Sequence, residues 1–204
     1  MNALLAFAAT LVSLRLTAEL VRRYRERRSP ELAAWAASLG AFALASAALA
    51  WGAAAGWDEA AFRVYYLAGA LLTAALLGAG SLLRIGWRWI TPVTLVYVGV
   101  AVGVAVAAPL TESVTGTDIP AAQDHLDLWP ARILAIGANS LGTIAAVGVA
   151  VWTIRTRPLG NALLLAGIAV AALGSALTGL GEASSALFAT AAAALLYGGF
   201  VSSR

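Results

Sequence analysis

Few side chains in this sequence can do chemistry, and most of them stand singly inside apolar runs. Asn139 and Ser140 are adjacent, Thr143 follows one helical turn later, and Thr73, Thr10 and Ser175 hold comparable positions in other runs. An amide with hydroxyls beside it can hydrogen-bond a neutral, polar ligand. The same groups also bond their own preceding turn or a neighbouring helix. Arg15 and Glu19 are spaced to share one helix face as an ion pair. Asp124-His125-Leu126-Asp127, with Glu112 and Asp118 upstream, places a histidine among carboxylates, the donor set of a divalent-cation site. Donor types without a preset geometry are weak grounds for a metal, so this segment reads as a solvated acidic loop and no metal is expected.

Much chemistry is excluded by residues the chain lacks. There is no cysteine, hence no thiolate nucleophile, and no lysine, hence no Schiff base. One histidine cannot supply a bis-histidine haem. GxSxG, HExxH and a glycine-rich phosphate loop are all missing, and no aspartate lies inside an apolar run. The sequence is therefore not expected to be an enzyme or to carry a cofactor.

The elements that position these residues follow from composition. Of 204 residues, 61% are hydrophobic and 11% charged, against about 45–50% and about 25% in ordinary soluble domains. The excess falls into seven blocks, 3–21, 32–52, 62–83, 90–110, 131–152, 159–180 and 183–201. Each is long enough to cross a bilayer as a helix, and in lipid the backbone must satisfy itself, which a helix does. The fold expected is an all-α integral membrane protein of seven transmembrane helices. It forms one domain over 1–204, with a three-helix unit at 1–83, a linker helix at 84–110, an outer loop at 111–130 and a second three-helix unit at 131–204. Block 3–21 reads as a retained helix and not a signal peptide, because it contains Arg15 and Glu19 and its basic cluster follows the apolar run.

All thirteen basic residues are arginines. Arg22, Arg23, Arg25, Arg27 and Arg28, then Arg84 and Arg88, then Arg155 and Arg157, and finally Arg204 fall at one side of seven alternating helices, leaving only Arg63 and Arg132 opposite. The positive-inside rule then gives N-terminus out and C-terminus in, as a multi-pass protein of the cell inner (plasma) membrane. The pI near 9.8 has its origin in these anchors, and nucleic acid is not an expected partner. Trp51, Trp57 and Trp129 at outer ends and Trp35, Trp87, Trp89 and Trp152 at inner ends suit rings anchored at headgroup level. Arg28-Ser29-Pro30 and Arg157-Pro158 each open an alanine-rich span with a later serine, Ser46 or Ser175, and a closing glycine, Gly52 or Gly181, a pattern consistent with a parallel 3+1+3 repeat. Gly99 and Gly103 form a GxxxG, which permits close approach within a protomer or in a homo-oligomer.

The run Trp57…Phe62-Arg63-Val64-Tyr65-Tyr66-Leu67-Ala68-Gly69-Ala70 resembles an element of uncharacterised bacterial seven-helix membrane proteins, a likeness that implies the bundle and carries no function. The 3+1+3, N-out layout resembles SWEET and PQ-loop transporters and, in helix count and orientation, the microbial rhodopsins. The Pro-Gln dipeptide of the former is absent from helices one and five, and the retinal lysine of the latter from helix seven. Two functions stay open. A transporter-like protein would bind or move a small neutral or amphipathic molecule in a midplane cavity between helices one, three, five and seven, faced by Asn139. A non-catalytic receptor or accessory protein would bind lipid, a non-covalent pigment or a protein partner.

Overall fold

The computed structural model describes residues 2–179 together with 188, 191, 192, 194–196, 198 and 199, with side chains described at 4–171 and 173 of the first stretch. The long elements are helices: α1 (Asn2–Arg27), α2 (Pro30–Ala55), α3 (Glu59–Arg84), α4 (Ile90–Ala107), α5 (Ile133–Trp152) and α6 (Pro158–Gly179). The first five, with α5 extended back to Leu128, are long and apolar enough to cross a membrane. The helix α6 coincides with the sixth apolar block. The seventh block, and with it Gly181, lies largely outside the described residues, as does the side chain of Ser175.

Helix boundaries have local causes. Pro30 disfavours a helical Ser29, which is extended at φ −88°, ψ 133°. Arg28 turns left-handed at φ 50° while its N–H still reaches Tyr24 O at 2.7 Å, so the chain reverses there. Gly56, at φ 95°, ends α2. The Asp58 carboxylate then accepts from Ala61 N–H at 2.7 Å and starts α3.

The helices pack α1 on α2, α2 on α3, α4 on α3, and α5 between α3 and α6. Small residues make these approaches. Ala6, Ala9 and Ser13 of α1 and Ala41, Ala45 and Ala48 of α2 are buried. The tightest crossing is α3 on α5, where Gly78 and Gly142 let backbone meet backbone: a Cβ on Gly78 would lie 2.5 Å from Gly142 O. Within the chain the GxxxG of α4 makes no such approach, since Gly99 and Gly103 face open space. Among the five long apolar helices α4 is the least buried.

Two tryptophans depart from the expected anchoring role. Trp57 is 4% exposed, lies against Gly52 and meets Tyr65 edge-on at 5.4 Å. Trp35 is 8% exposed and lies against Gly80. Each fills the space that a glycine leaves, so packing outweighs the interface. Trp51, Trp87, Trp89, Trp129 and Trp152 remain exposed. The 111–130 segment is also more ordered than a solvated loop. Leu110 and Leu126 form an antiparallel bridge, Trp57 N–H donates to Gly116 O at 2.7 Å, and Val114 and Leu126 are buried over Phe62 and Tyr66.

Candidate functional site

Near its middle α3 widens into a π-helix at Tyr66–Thr73. The i→i+5 ladder displaces carbonyls from the ordinary register, and such segments recur at functional sites. A buried carbonyl left without a partner costs about 1–3 kcal/mol, and four side chains donate to carbonyls of this stretch. Thr73 Oγ1 donates to Ala68 O at 2.7 Å, Asn139 Nδ2 of α5 to Ala70 O at 2.7 Å, Tyr97 Oη of α4 to Leu71 O at 2.5 Å, and Ser38 Oγ of α2 to Thr73 O at 2.7 Å.

This arrangement reassigns the residues expected to line a midplane pocket. Asn139 and Thr73 do come together, but on backbone. Asn139 Nδ2 also donates to Ala135 O at 3.0 Å, so both amide protons are engaged in helix packing. Thr10 Oγ1 donates to Ala6 O one turn back at 2.9 Å. Ser140 is exposed, about 100° around α5 from Asn139, while Thr143 is half-buried. The expected cavity faced by Asn139 is replaced by a helix contact, because a π-turn creates acceptors that the amide satisfies.

The expected Arg15–Glu19 pair is corrected as well. Glu19 bonds forward, to Arg23 Nε at 2.9 Å and to Arg22 at 2.9–3.1 Å, and Arg15 is exposed. A glutamate placed N-terminal to its cation at i,i+4 is the favoured order, and Arg15 stands in the reverse one.

A cavity of about 90 Å³ lies at the arginine-rich end, enclosed by the ends of α1, α2, α3, α5 and α6. Leu20, Leu77, Val149, Leu164 and Ile168 form its apolar wall, and Trp35, Ser81, Arg84, Thr153, Arg157 and Asn161 its polar part. Local structure fixes these groups. Gly80 admits the Trp35 ring, over which the Arg84 guanidinium sits at 6.0 Å from the ring centroid. Thr153 Oγ1 donates to Val149 O at 2.8 Å and accepts from Asn161 Nδ2 at 2.9 Å, tying the first turn of α6 to the end of α5. Asn161 is 6% exposed. Burial, with the guanidiniums of Arg84 and Arg23 nearby, pushes Arg157 below the ordinary arginine value. Sequence reasoning treated Arg84 and Arg157 as topological anchors and passed over Asn161. The available signal was positional: an amide in the first turn of the sixth block, on the side where both arginines fall.

At the other end the His125 ring meets Phe62 edge-on at 5.4 Å, with Nδ1 3.4 Å from Glu112 O. Among the described residues no three of His, Asp and Glu converge there or elsewhere. In comparisons with protein-family models, curated proteins and solved structures, nothing matches this chain.

Proposed function

We propose that the chain is a non-catalytic, multi-pass protein of the inner (plasma) membrane that binds an amphipathic molecule in the cavity at its arginine-rich, cytoplasmic end. The observation that carries this reading is the cavity's make-up: a wall of leucine, valine and isoleucine capped by arginines, an asparagine and a tryptophan. Pockets that enclose drug-sized ligands span about 300–1,000 Å³, so about 90 Å³ suits a headgroup or the end of a chain, with the remaining apolar part in the bilayer. The five membrane-length helices and the arginine asymmetry support the embedding, and the seven-crossing, N-out arrangement with its 3+1+3 repeat extends them. The transporter reading loses the midplane donors that it relied on, since Asn139 and Thr73 serve the backbone of α3.

The test is photo-crosslinking in proteoliposomes with a fatty-acyl probe carrying a diazirine near its polar end. Labelled peptides should map to 77–84 and 146–161. Labelling confined to the lipid-facing side of α4, or uptake of a solute that depends on Asn139, would count against this function.

A further inference from the structure

We infer that the outward side of α1 binds one anionic phospholipid of the surrounding leaflet, its phosphate held between Arg15 and Arg22 over Ala18 and an acyl chain lying along Leu14 and Leu11. The site is separate from the cavity, to which α1 contributes Leu20 alone among the described residues. The helix period sets the two sides of α1. Ala6, Ala9, Ser13, Leu16 and Leu20 are buried, whereas Phe7, Leu11, Leu14, Arg15, Ala18 and Arg22 are exposed. At about 100° per residue these sets fall on opposite sides of the helix. With the edge of the hydrocarbon at Val21, where the basic cluster begins, Arg15 stands about 9 Å inside it at about 1.5 Å per residue. An exposed guanidinium at that depth meets acyl chains and is costly without a counter-charge. The carboxylate spaced to neutralise it is already taken, since Glu19 accepts from Arg22 and Arg23. Among the described residues Arg15 makes no hydrogen bond or ion pair. From Arg15 to Arg28 six arginines stand against two glutamates, and the second, Glu26, acts on Arg22 from a turn further towards water.

The chemistry follows from guanidinium geometry and the direction of the helix. Arg15 and Arg22 lie about two turns apart on one line, and the small side chain of Ala18 between them leaves room for a headgroup. Arginine presents a planar fork that meets two oxygens of a phosphate at once. The whole fork of Arg15 is available for this. Arg22 turns Nε and Nη2 to Glu19 and keeps its Nη1 protons. A lipid anchored here by its phosphate hangs its chains towards the middle of the bilayer, which is the direction of Leu14, Leu11 and Phe7, all exposed. A zwitterionic headgroup would bring its ammonium against Arg22 and the exposed Arg25, a like-charge contact that an anionic headgroup avoids. Basic clusters at the end of a membrane helix attract anionic lipid on the same grounds.

The experiment uses the full chain in a neutral maltoside micelle with two probes of equal chain length, dioleoyl phosphatidylglycerol and dioleoyl phosphatidylcholine. Native mass spectrometry counts bound lipid, and a phosphatidylglycerol carrying a diazirine near its headgroup maps the contact. Phosphatidylglycerol should bind at one per chain, at least tenfold more tightly than phosphatidylcholine, and label residues 11–18. Arg15→Leu, which continues the apolar side of α1 and so spares the fold, should weaken it at least tenfold. Ala18→Leu fills the gap with every charge kept, and should weaken it as well. Arg155→Gln removes equal charge from an exposed residue at the same end and should leave binding unchanged. Equal binding of the two lipids would overturn the anionic assignment. Loss through Arg155→Gln equal to that through Arg15→Leu would also overturn it, reducing the effect to net charge. Labelling confined to 77–84 and 146–161, indifferent to Arg15→Leu, would overturn this site and leave the cavity reading standing. Dimers that carry no lipid and dissociate in Arg15→Leu would give this side of α1 to a second copy of the chain and overturn the lipid assignment, as would binding of neither probe.

Discussion

Adding one methyl group at Gly142 should separate α3 from α5. A Cβ there would overlap the Ala74 carbonyl and stand 2.8 Å from Ala75 N. Ordinary carbon contacts are about 3.5–4.0 Å, so the helices must part by about 1 Å. That displacement takes the Asn139–Ala70 bond from 2.7 Å to beyond about 3.5 Å, where it no longer counts as a hydrogen bond. Overpacking costs about 1–3 kcal/mol, and a lost interhelical bond in a membrane protein about 0.6–1.7 kcal/mol. Alanine's better helix propensity returns about 1 kcal/mol. The net expectation for Gly142→Ala is a loss of about 1–3 kcal/mol, with overlap outweighing propensity. Gly148→Ala is the matched control: it lies on the same helix with no atom within 4 Å of the added carbon, and should be neutral or gain up to about 1 kcal/mol. The assay is equilibrium unfolding in mixed micelles with rising dodecyl sulfate, followed by circular dichroism. Equal midpoints for the two variants would refute the backbone crossing.

Asn139→Leu should lower stability by about 1 kcal/mol without changing where the fatty-acyl probe labels the chain. Its effect should shrink in the Gly142→Ala background, because that change already breaks the same bond; unfolding of the double variant measures this. Arg28→Gly relieves a left-handed turn that costs about 1–2 kcal/mol in a residue with a Cβ, so its unfolding midpoint should rise, with topology kept by the remaining arginines. Reporters placed in the 85–89 turn and after Arg204 should behave as cytoplasmic and one in the 111–130 segment as external; the converse pattern would remove the arginine argument.

The apolar blocks were legible because helix length and breakers such as Pro30 act within a few residues, whereas the ends set by Gly56 and the Asp58 cap lie a few residues beyond the blocks read at 32–52 and 62–83. Pairwise contacts were not. The spacing of Gly78 and Gly142 has no local signature, whereas the conspicuous Gly99–Gly103 pair faces open space. The identity of the polar midplane groups could be read, but their acceptors could not, because a π-turn in an alanine- and leucine-rich run leaves no compositional mark. The arginines were visible for the reason that they are charged, and charge alone does not tell an anchor from the wall of a cavity.

The widened stretch of α3 also acts as a phase setter. Each i→i+5 ring takes in one residue more than an α-helical ring, and one residue corresponds to about 100° of rotation around an α-helix. Phe62 and Tyr66 in the first half of α3 and Gly78 in the second therefore face their own partners only with that surplus residue in place. Deleting Gly69, which would let the stretch close into an α-helix, should turn one half of α3 against the other by about 100°. Either the aromatic cluster under the 111–130 segment or the glycine crossing with α5 would then lose its mate, so a one-residue deletion here should be tolerated far less well than any single substitution in the same stretch. A deletion scan across 59–84, read out by folded yield, would show this as a minimum over the residues between the two anchors, 67–77.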